Sequence, residues 1–302
     1  MAYRNDCAEV ITAMVTPMEK SGAIDYDGVE SLASHLMDSG SDAILVAGTT
    51  GESPCLTHNE EIELVSSVKR AVQNKVKIIL GAGSNSTQSA IEYAKFAQKE
   101  EVDAILSVVP YYNKPNQRGI IEHFSAIAQA VDLPIILYNI PGRTGVNMLP
   151  DTVAYLANTY DNIIGLKQSC GDLDLFTEIK MVCPEDFILY SGDDSLTLPM
   201  LSIGAHGVIS VASHLFGQEI KSMIRNFKSG ELIAAQNMHR KLYPIFKQLF
   251  TAPNPIPVKA LLAYENLINE YVRKPLVILS EDEKITLQRI YNSVKEELNH
   301  LG

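Results

Sequence analysis

The stretch "NIIGLKQSCGDL", Asn162 to Leu173, places an apolar run, Ile163-Ile164-Gly165-Leu166, directly before a lysine, Lys167. The run has the pattern of a buried strand, and it delivers an ammonium group to its own end. Seven further runs share its character: "EVITAMVTP", "DAILVAGTTGE", "VKIILGAGS", "DAILSVVPYY", "PIILYNIPG", "FILYSGDD" and "HGVISVAS". The eight start near residues 9, 42, 76, 103, 134, 162, 187 and 206. They are continuously apolar rather than alternating, as parallel strands covered on both faces are. Amphipathic stretches separate most of them, among them "DYDGVESLASHLMDSG", "NEEIELVSSVKRAVQ" and "STQSAIEYAKFAQKE", the last with an N-cap signal at Ser86. Eight strand–helix units predict an α/β chain closed into a (β/α)8 TIM barrel. A doubly wound open sheet would carry fewer strands and a glycine-rich fingerprint after the first. Here "TPMEKSG" stands in that place, and "GAGSNS" after the third run lacks the last glycine of GxGxxG.

After the eighth run about 80 residues remain, more than one barrel helix needs. "ELIAAQNMHRKLYPIFKQLF", "IPVKALLAYENLINEY" and "SEDEKITLQRIYNSVKEELNHL" each read as an amphipathic helix. We therefore divide the chain into a barrel catalytic domain, 1–228, and a small C-terminal helical extension, 229–302.

The totals agree. The 302 residues are 46% hydrophobic and 20% charged, as in a globular chain with a large core. A net charge of -11 supplies no basic stripe for nucleic acid or an anionic membrane. Four scattered cysteines, no secretory leader pattern at the N-terminus and no apolar run of about 20 residues predict a cytoplasmic protein with free thiols. The histidines His35, His58, His123, His206 and His214 are dispersed, so no metal centre is expected.

In such a barrel the chemistry gathers where strands end and the following loops begin. The second run ends in "GTTGE", with Thr49 and Thr50, and the fourth in "PYYNKP", with Tyr111 and Tyr112. The fifth carries Tyr138 and then Arg143; the sixth ends in Lys167, and the seventh in "SGDD" with Gly192. Each alone has a plain structural reading: a strand-end lysine commonly meets solvent or a carboxylate, and tyrosines anchor loops. Together on one rim they supply an amine, three phenols, two hydroxyls and a guanidinium. An amine held out of water gives up its proton more readily and can attack a ketone. Phenols can relay protons in the dehydration that follows, and an arginine fork can grip a carboxylate. That set suits Schiff-base chemistry and requires no other cofactor.

"GTTGE", "PYYNKPNQRG", "YNIPGRTG", "GLKQS", "SGDD", "GVISV" and "NPIPVK", in this order, resemble the class I pyruvate-dependent aldolases of the N-acetylneuraminate lyase family. The resemblance is strongest to the branch that condenses pyruvate with L-aspartate 4-semialdehyde on the way to diaminopimelate and lysine. It implies that Lys167 forms the Schiff base with pyruvate. Tyr138 would relay protons, with Thr49 bridging it to Tyr112, which reaches into a neighbouring subunit's site. Thr50 would hold the pyruvate carboxylate, while Ile209 (through its backbone carbonyl) and Gly192 complete the pocket. The usual assembly in the family is a homotetramer, a dimer of dimers. Arg143 matches the arginine that binds the semialdehyde's carboxylate, where sialic-acid lyases generally carry a non-basic residue. Cleavage of a longer 2-keto acid, or a keto-acid-binding barrel without turnover, are the alternatives.

The resemblance also implies a lysine-binding allosteric site at Ser53, His58, Asn85 and Tyr111. The chain departs from the sensitive pattern at Glu61, where histidine is common, and at Ser89, where glutamate is. The missing Ser89-position carboxylate predicts weak or absent feedback inhibition by lysine.

Overall fold

The structure, a computed structural model, describes residues 7–299. Eight strands form one closed parallel barrel in the order β1 to β8. They are β1 (Val10–Ala13), β2 (Ala43–Val46), β3 (Lys77–Gly81), β4 (Ala104–Val108), β5 (Ile135–Asn139), β6 (Ile163–Gln168), β7 (Ile188–Ser191) and β8 (Gly207–Ser210). The predicted TIM-barrel fold is thus the observed one. Nearly every strand residue is buried, which is why the runs carry no polar alternation.

The helices between and after the strands are α1 (Tyr26–Asp38), α2 (His58–Val72), α3 (Thr87–Lys99), α4 (Gln117–Ala130), α5 (Pro141–Thr144), α6 (Pro150–Thr159), α7 (Leu173–Val182), α8 (Thr197–Ile203), α9 (Ser213–Lys228), α10 (Leu232–Gln248), α11 (Ile256–Tyr264) and α12 (Glu281–Asn299). Several of them start after a side chain that accepts from the first free backbone N–H groups. Ser86 caps α3 as its sequence predicts, Asn116 caps α4, Asp172 caps α7, and Thr57 with Glu60 forms a capping box on α2. Among the described residues no helix is long and apolar enough to cross a membrane.

The chain divides into two compact units. The first, 7–9 with Lys77–Ile209, carries β3 to β7 and most of β8, paired in parallel from neighbour to neighbour. One irregularity in it matters for the chemistry. The register of β5 on β6 slips by one residue between Ile135 and Ile136, so that Tyr138 lies opposite Lys167 instead of Leu166.

The second unit, Val10–Val76 with 210–299, carries β1 paired with β2, and α9 to α12. The second of its late helix patterns, "IPVKALLAYENLINEY", is shorter as a helix than the sequence predicts. α11 stops at Tyr264, because Asn266 turns left-handed (φ 59°) and donates to the Ala263 carbonyl while Leu267 donates to that of Leu262. This is a Schellman closure, which asparagine tolerates better than most side chains. The segment it releases brings the Tyr271 carbonyl to Lys259 of α11, from which it accepts, and the Arg273 backbone N–H to Glu52 in the loop after β2.

Candidate active site

In the first unit the sixth strand delivers Lys167 to a buried position, 6% exposed, one residue before its end. Its Nζ lies 4.4 Å from the centre of the Tyr138 ring on β5. Tyr138 is itself buried, and its backbone carbonyl accepts from Val109. Tyr190, opposite Lys167 on the other side, is a different case: its hydroxyl donates to the Ala8 carbonyl at 2.9 Å and is used by the fold.

Gly192, just after β7, closes on the lysine. A Cβ there would come within 1.8 Å of Ser169 Oγ and 2.9 Å of Lys167 Cε. A side chain there would have to displace Ser169 or the lysine stem, so this glycine serves a close approach rather than a turn. Ser169 Oγ is buried and has no hydrogen-bond partner. Beside them, Asn139 Nδ2 donates to Gln168 Oε1 at 3.0 Å and to Asn147 Oδ1 at 2.7 Å, while its Oδ1 accepts from Met148 N–H. These bonds tie the strand bearing Lys167 to the loop that follows β5. Ser169, Asn139 and Gln168 were missed by the sequence reading, although Asn139 and Gln168 directly follow Tyr138 and Lys167, which it singled out.

Lys167, Tyr138 and Gly192 therefore come together. Ile209 is buried in β8. Arg143 sits on the short α5 and is exposed. Tyr112 lies beyond the end of β4 in a left-handed conformation (φ 71°), 88% exposed. Tyr111 is exposed beside it, and Asn85 accepts through its carbonyl from Asn113 Nδ2.

In the second unit the loop Gly48–Glu52 folds on itself. Gly51 and Ser53 both donate to the Gly48 carbonyl, and Thr16 donates to that of Gly51. Thr49 is half-buried and Thr50 buried, with the Thr50 hydroxyl accepting from Asn254 Nδ2 at 2.9 Å. Glu52, left-handed at φ 59°, turns its carboxylate inward. It accepts from Lys259 Nζ at 2.6 Å and from the Arg273 backbone N–H at 2.8 Å. Lys259 is wholly buried and donates also to the Tyr271 carbonyl; burial pushes its pKa down, against the pull of Glu52.

The Arg273 guanidinium forks onto Glu60 and donates to the Cys55 and Gly22 carbonyls, holding the Glu60 carboxyl well down, at about 2. Ser53 begins the short turn before α2, and the half-exposed His58 is the first residue of that helix. Glu61, one turn along, is buried; desolvation first, and the neighbouring Glu60 second, push its pKa up to about 7. Among the described residues no cluster of His, Cys, Asp and Glu could hold a metal ion.

Comparison with known proteins gives the family. Residues 6–294 match the model of the dihydrodipicolinate synthetase family. The chain belongs to that family. It is 49% identical over 293 residues to the 4-hydroxy-tetrahydrodipicolinate synthase of Cyanothece sp., covering 97% of this chain and 98% of the other. It is 46% identical over 278 residues to the enzyme of the same name from Bacillus subtilis, covering 92% and 96%. Among solved structures, that of the dihydrodipicolinate synthase of Cyanidioschyzon merolae with lysine bound superposes with a TM-score of 0.93 at 49% identity. That superposition spans 95% of this chain and 98% of the other.

Proposed function

We propose that this lyase condenses pyruvate with L-aspartate 4-semialdehyde to give 4-hydroxy-tetrahydrodipicolinate, in lysine and diaminopimelate biosynthesis, through a Schiff base on Lys167. The juxtaposition of Lys167 with Tyr138 carries the mechanistic reading; membership of the family carries the substrates. The neutral amine of Lys167 adds to the pyruvate ketone, and the resulting carbinolamine loses water to leave an imine. Tyr138 moves the protons of addition and dehydration. Loss of a proton from the pyruvate methyl group gives an enamine. Its carbon bonds to the semialdehyde's aldehyde carbon, whose oxygen takes up a proton. The amino group of the former semialdehyde then adds to the imine carbon and displaces Lys167, which closes the ring and regenerates the amine. The lysine is the only covalent aid the sequence of steps needs.

In this reading Thr50 holds the pyruvate carboxylate and Thr49 links Tyr138 to Tyr112. Ile209 lends its carbonyl, Gly192 keeps the lysine's flank open, and Arg143 binds the carboxylate of the semialdehyde. The 88% exposure of Tyr112 supports its service to a neighbouring subunit's site, within a homotetramer built as a dimer of dimers. We retain residues 1–228 as the barrel domain and 229–302 as its extension, since the strand–helix alternation ends with α9 at Lys228. We assign the enzyme to the cytoplasm, where its four free thiols would stay reduced.

The test is to incubate the protein with pyruvate, reduce with borohydride, map the adduct by peptide mass spectrometry, and assay turnover with L-aspartate 4-semialdehyde. A reduced pyruvyl group on Lys167 and turnover are the expected outcomes; an adduct on another lysine would refute the mechanism. N-Acetylneuraminate in the same substrate panel checks the alternative aldolase, which Arg143 disfavours because a neutral sugar chain gains nothing from a guanidinium fork.

A further inference from the structure

The C-terminal extension grips the loop after β2 at two points, and the grip ends on a hydroxyl that the reaction uses. Asn254 Nδ2 donates to Thr50 Oγ1 at 2.9 Å, and both side chains are more than nine-tenths buried. Five residues on, Lys259 Nζ pairs with the carboxylate of Glu52, two residues after Thr50. Glu52 in turn accepts from the Arg273 backbone N–H. The loop cannot shift against this segment without breaking a buried ion pair.

A threonine hydroxyl has one proton to donate and can accept from others. With the Asn254 amide donating into its oxygen, the Thr50 proton must point elsewhere. The other terminal atom of Asn254, Oδ1, is buried and has no hydrogen-bond partner. A buried acceptor left unpaired costs stability. The one hydrogen bond that this side chain makes goes to Thr50.

We propose that Asn254 is a positioning residue: by donating to Thr50, it aims that threonine's proton at the carboxylate of bound pyruvate. The inference rests on the reading of Thr50 as the carboxylate's partner. It extends the functional apparatus into the helical extension, with Lys259 and Glu52 as the clamp that keeps the amide and the hydroxyl in register.

The test measures, on the full chain, the pyruvate concentration that half-saturates borohydride trapping on Lys167, together with kcat at saturating pyruvate. The variants are Asn254→Ala, Asn254→Asp, Thr50→Ala and the Thr50→Ala/Asn254→Ala double variant, each checked for folding by circular dichroism. Asn254→Ala should raise half-saturation by about three- to tenfold, the worth of one hydrogen bond, with kcat little changed. Asn254→Asp keeps the shape and reverses the bond, since its carboxylate accepts the Thr50 proton; it should weaken pyruvate binding further. It also carries the test if the alanine variant does not fold. In the Thr50→Ala background, Asn254→Ala should have no additional effect. Wild-type binding by Asn254→Asp, or an effect of Asn254→Ala that is undiminished without the Thr50 hydroxyl, would overturn the proposal. If Thr50→Ala itself binds pyruvate as the wild type does, the role of Thr50 is wrong and the proposal falls with it, a result that the trapping curves separate from the first two.

Discussion

Lys167 Nζ stands 4.4 Å from the centre of the Tyr138 ring, and the two residues are paired in register across β5 and β6. A phenol beside an amine near the C-terminal ends of two strands can take and return protons while the amine carries the substrate. Tyr138→Phe keeps the buried ring and removes only the hydroxyl. Its kcat should fall by about 10²- to 10⁴-fold while the fold is retained. Lys167→Ala should abolish both turnover and the borohydride-trapped adduct. Steady-state kinetics and mass spectrometry on the two variants check this, and turnover by Lys167→Ala at the wild-type rate would end the Schiff-base account.

Gly192 presses on the same lysine. An added methyl group would meet Ser169 Oγ at 1.8 Å and Lys167 Cε at 2.9 Å. The serine hydroxyl can rotate away, but the lysine stem, held at the end of a buried strand, has less room. Gly192→Ala should therefore misplace Nζ and lower kcat by about 10²-fold, with thermal stability only modestly changed. Adding Ser169→Ala to that variant should relieve the first clash and not the second. Recovery of full activity in the double variant would show that the lysine was never displaced.

Much of this was legible in the residues because of how parallel strands are buried. With both faces covered, each strand reads as a plain apolar run, so Lys167 at the end of "NIIGLK" breaks its own pattern and announces itself. The relationships that set the geometry have no such local mark. The slip between Ile135 and Ile136 is a property of two strands, visible in neither. Lys259 meets Glu52 across 207 positions of sequence, and within "IPVKALLAY" it reads as one polar residue of an amphipathic helix. The end of α11 was also misjudged, since Asn266 stops the helix inside a stretch whose apolar spacing would let it continue.

The Lys259–Glu52 pair is wholly buried on both sides. Removing one partner strands the other charge in a low-dielectric interior. Lys259→Met should therefore destabilise the folded chain by about 3–5 kcal/mol, measured by denaturant unfolding at fixed protomer concentration. The Lys259→Met/Glu52→Gln double variant removes both charges and should recover part of that loss. Equal destabilisation by the double variant would mean that packing, not the stranded carboxylate, sets the cost.

Glu61 links stability to pH. Its carboxyl sits at about 7 in the folded chain against an ordinary 4.5, because it is buried, with Glu60 nearby, and Oε2 lacks a hydrogen-bond partner. The folded state therefore holds this proton more tightly than the unfolded chain does. The stabilisation is complete below about pH 4.5 and is lost as pH rises through about 7, amounting to roughly 3 kcal/mol. Glu61→Gln, neutral at every pH, should match the wild type at about pH 4 and exceed it in stability at about pH 8.5, as urea unfolding at the two pH values would show. Where the sensitive pattern has glutamate this chain has Ser89, so lysine should inhibit weakly or not at all in a coupled assay; inhibition at micromolar to low millimolar lysine would overturn that.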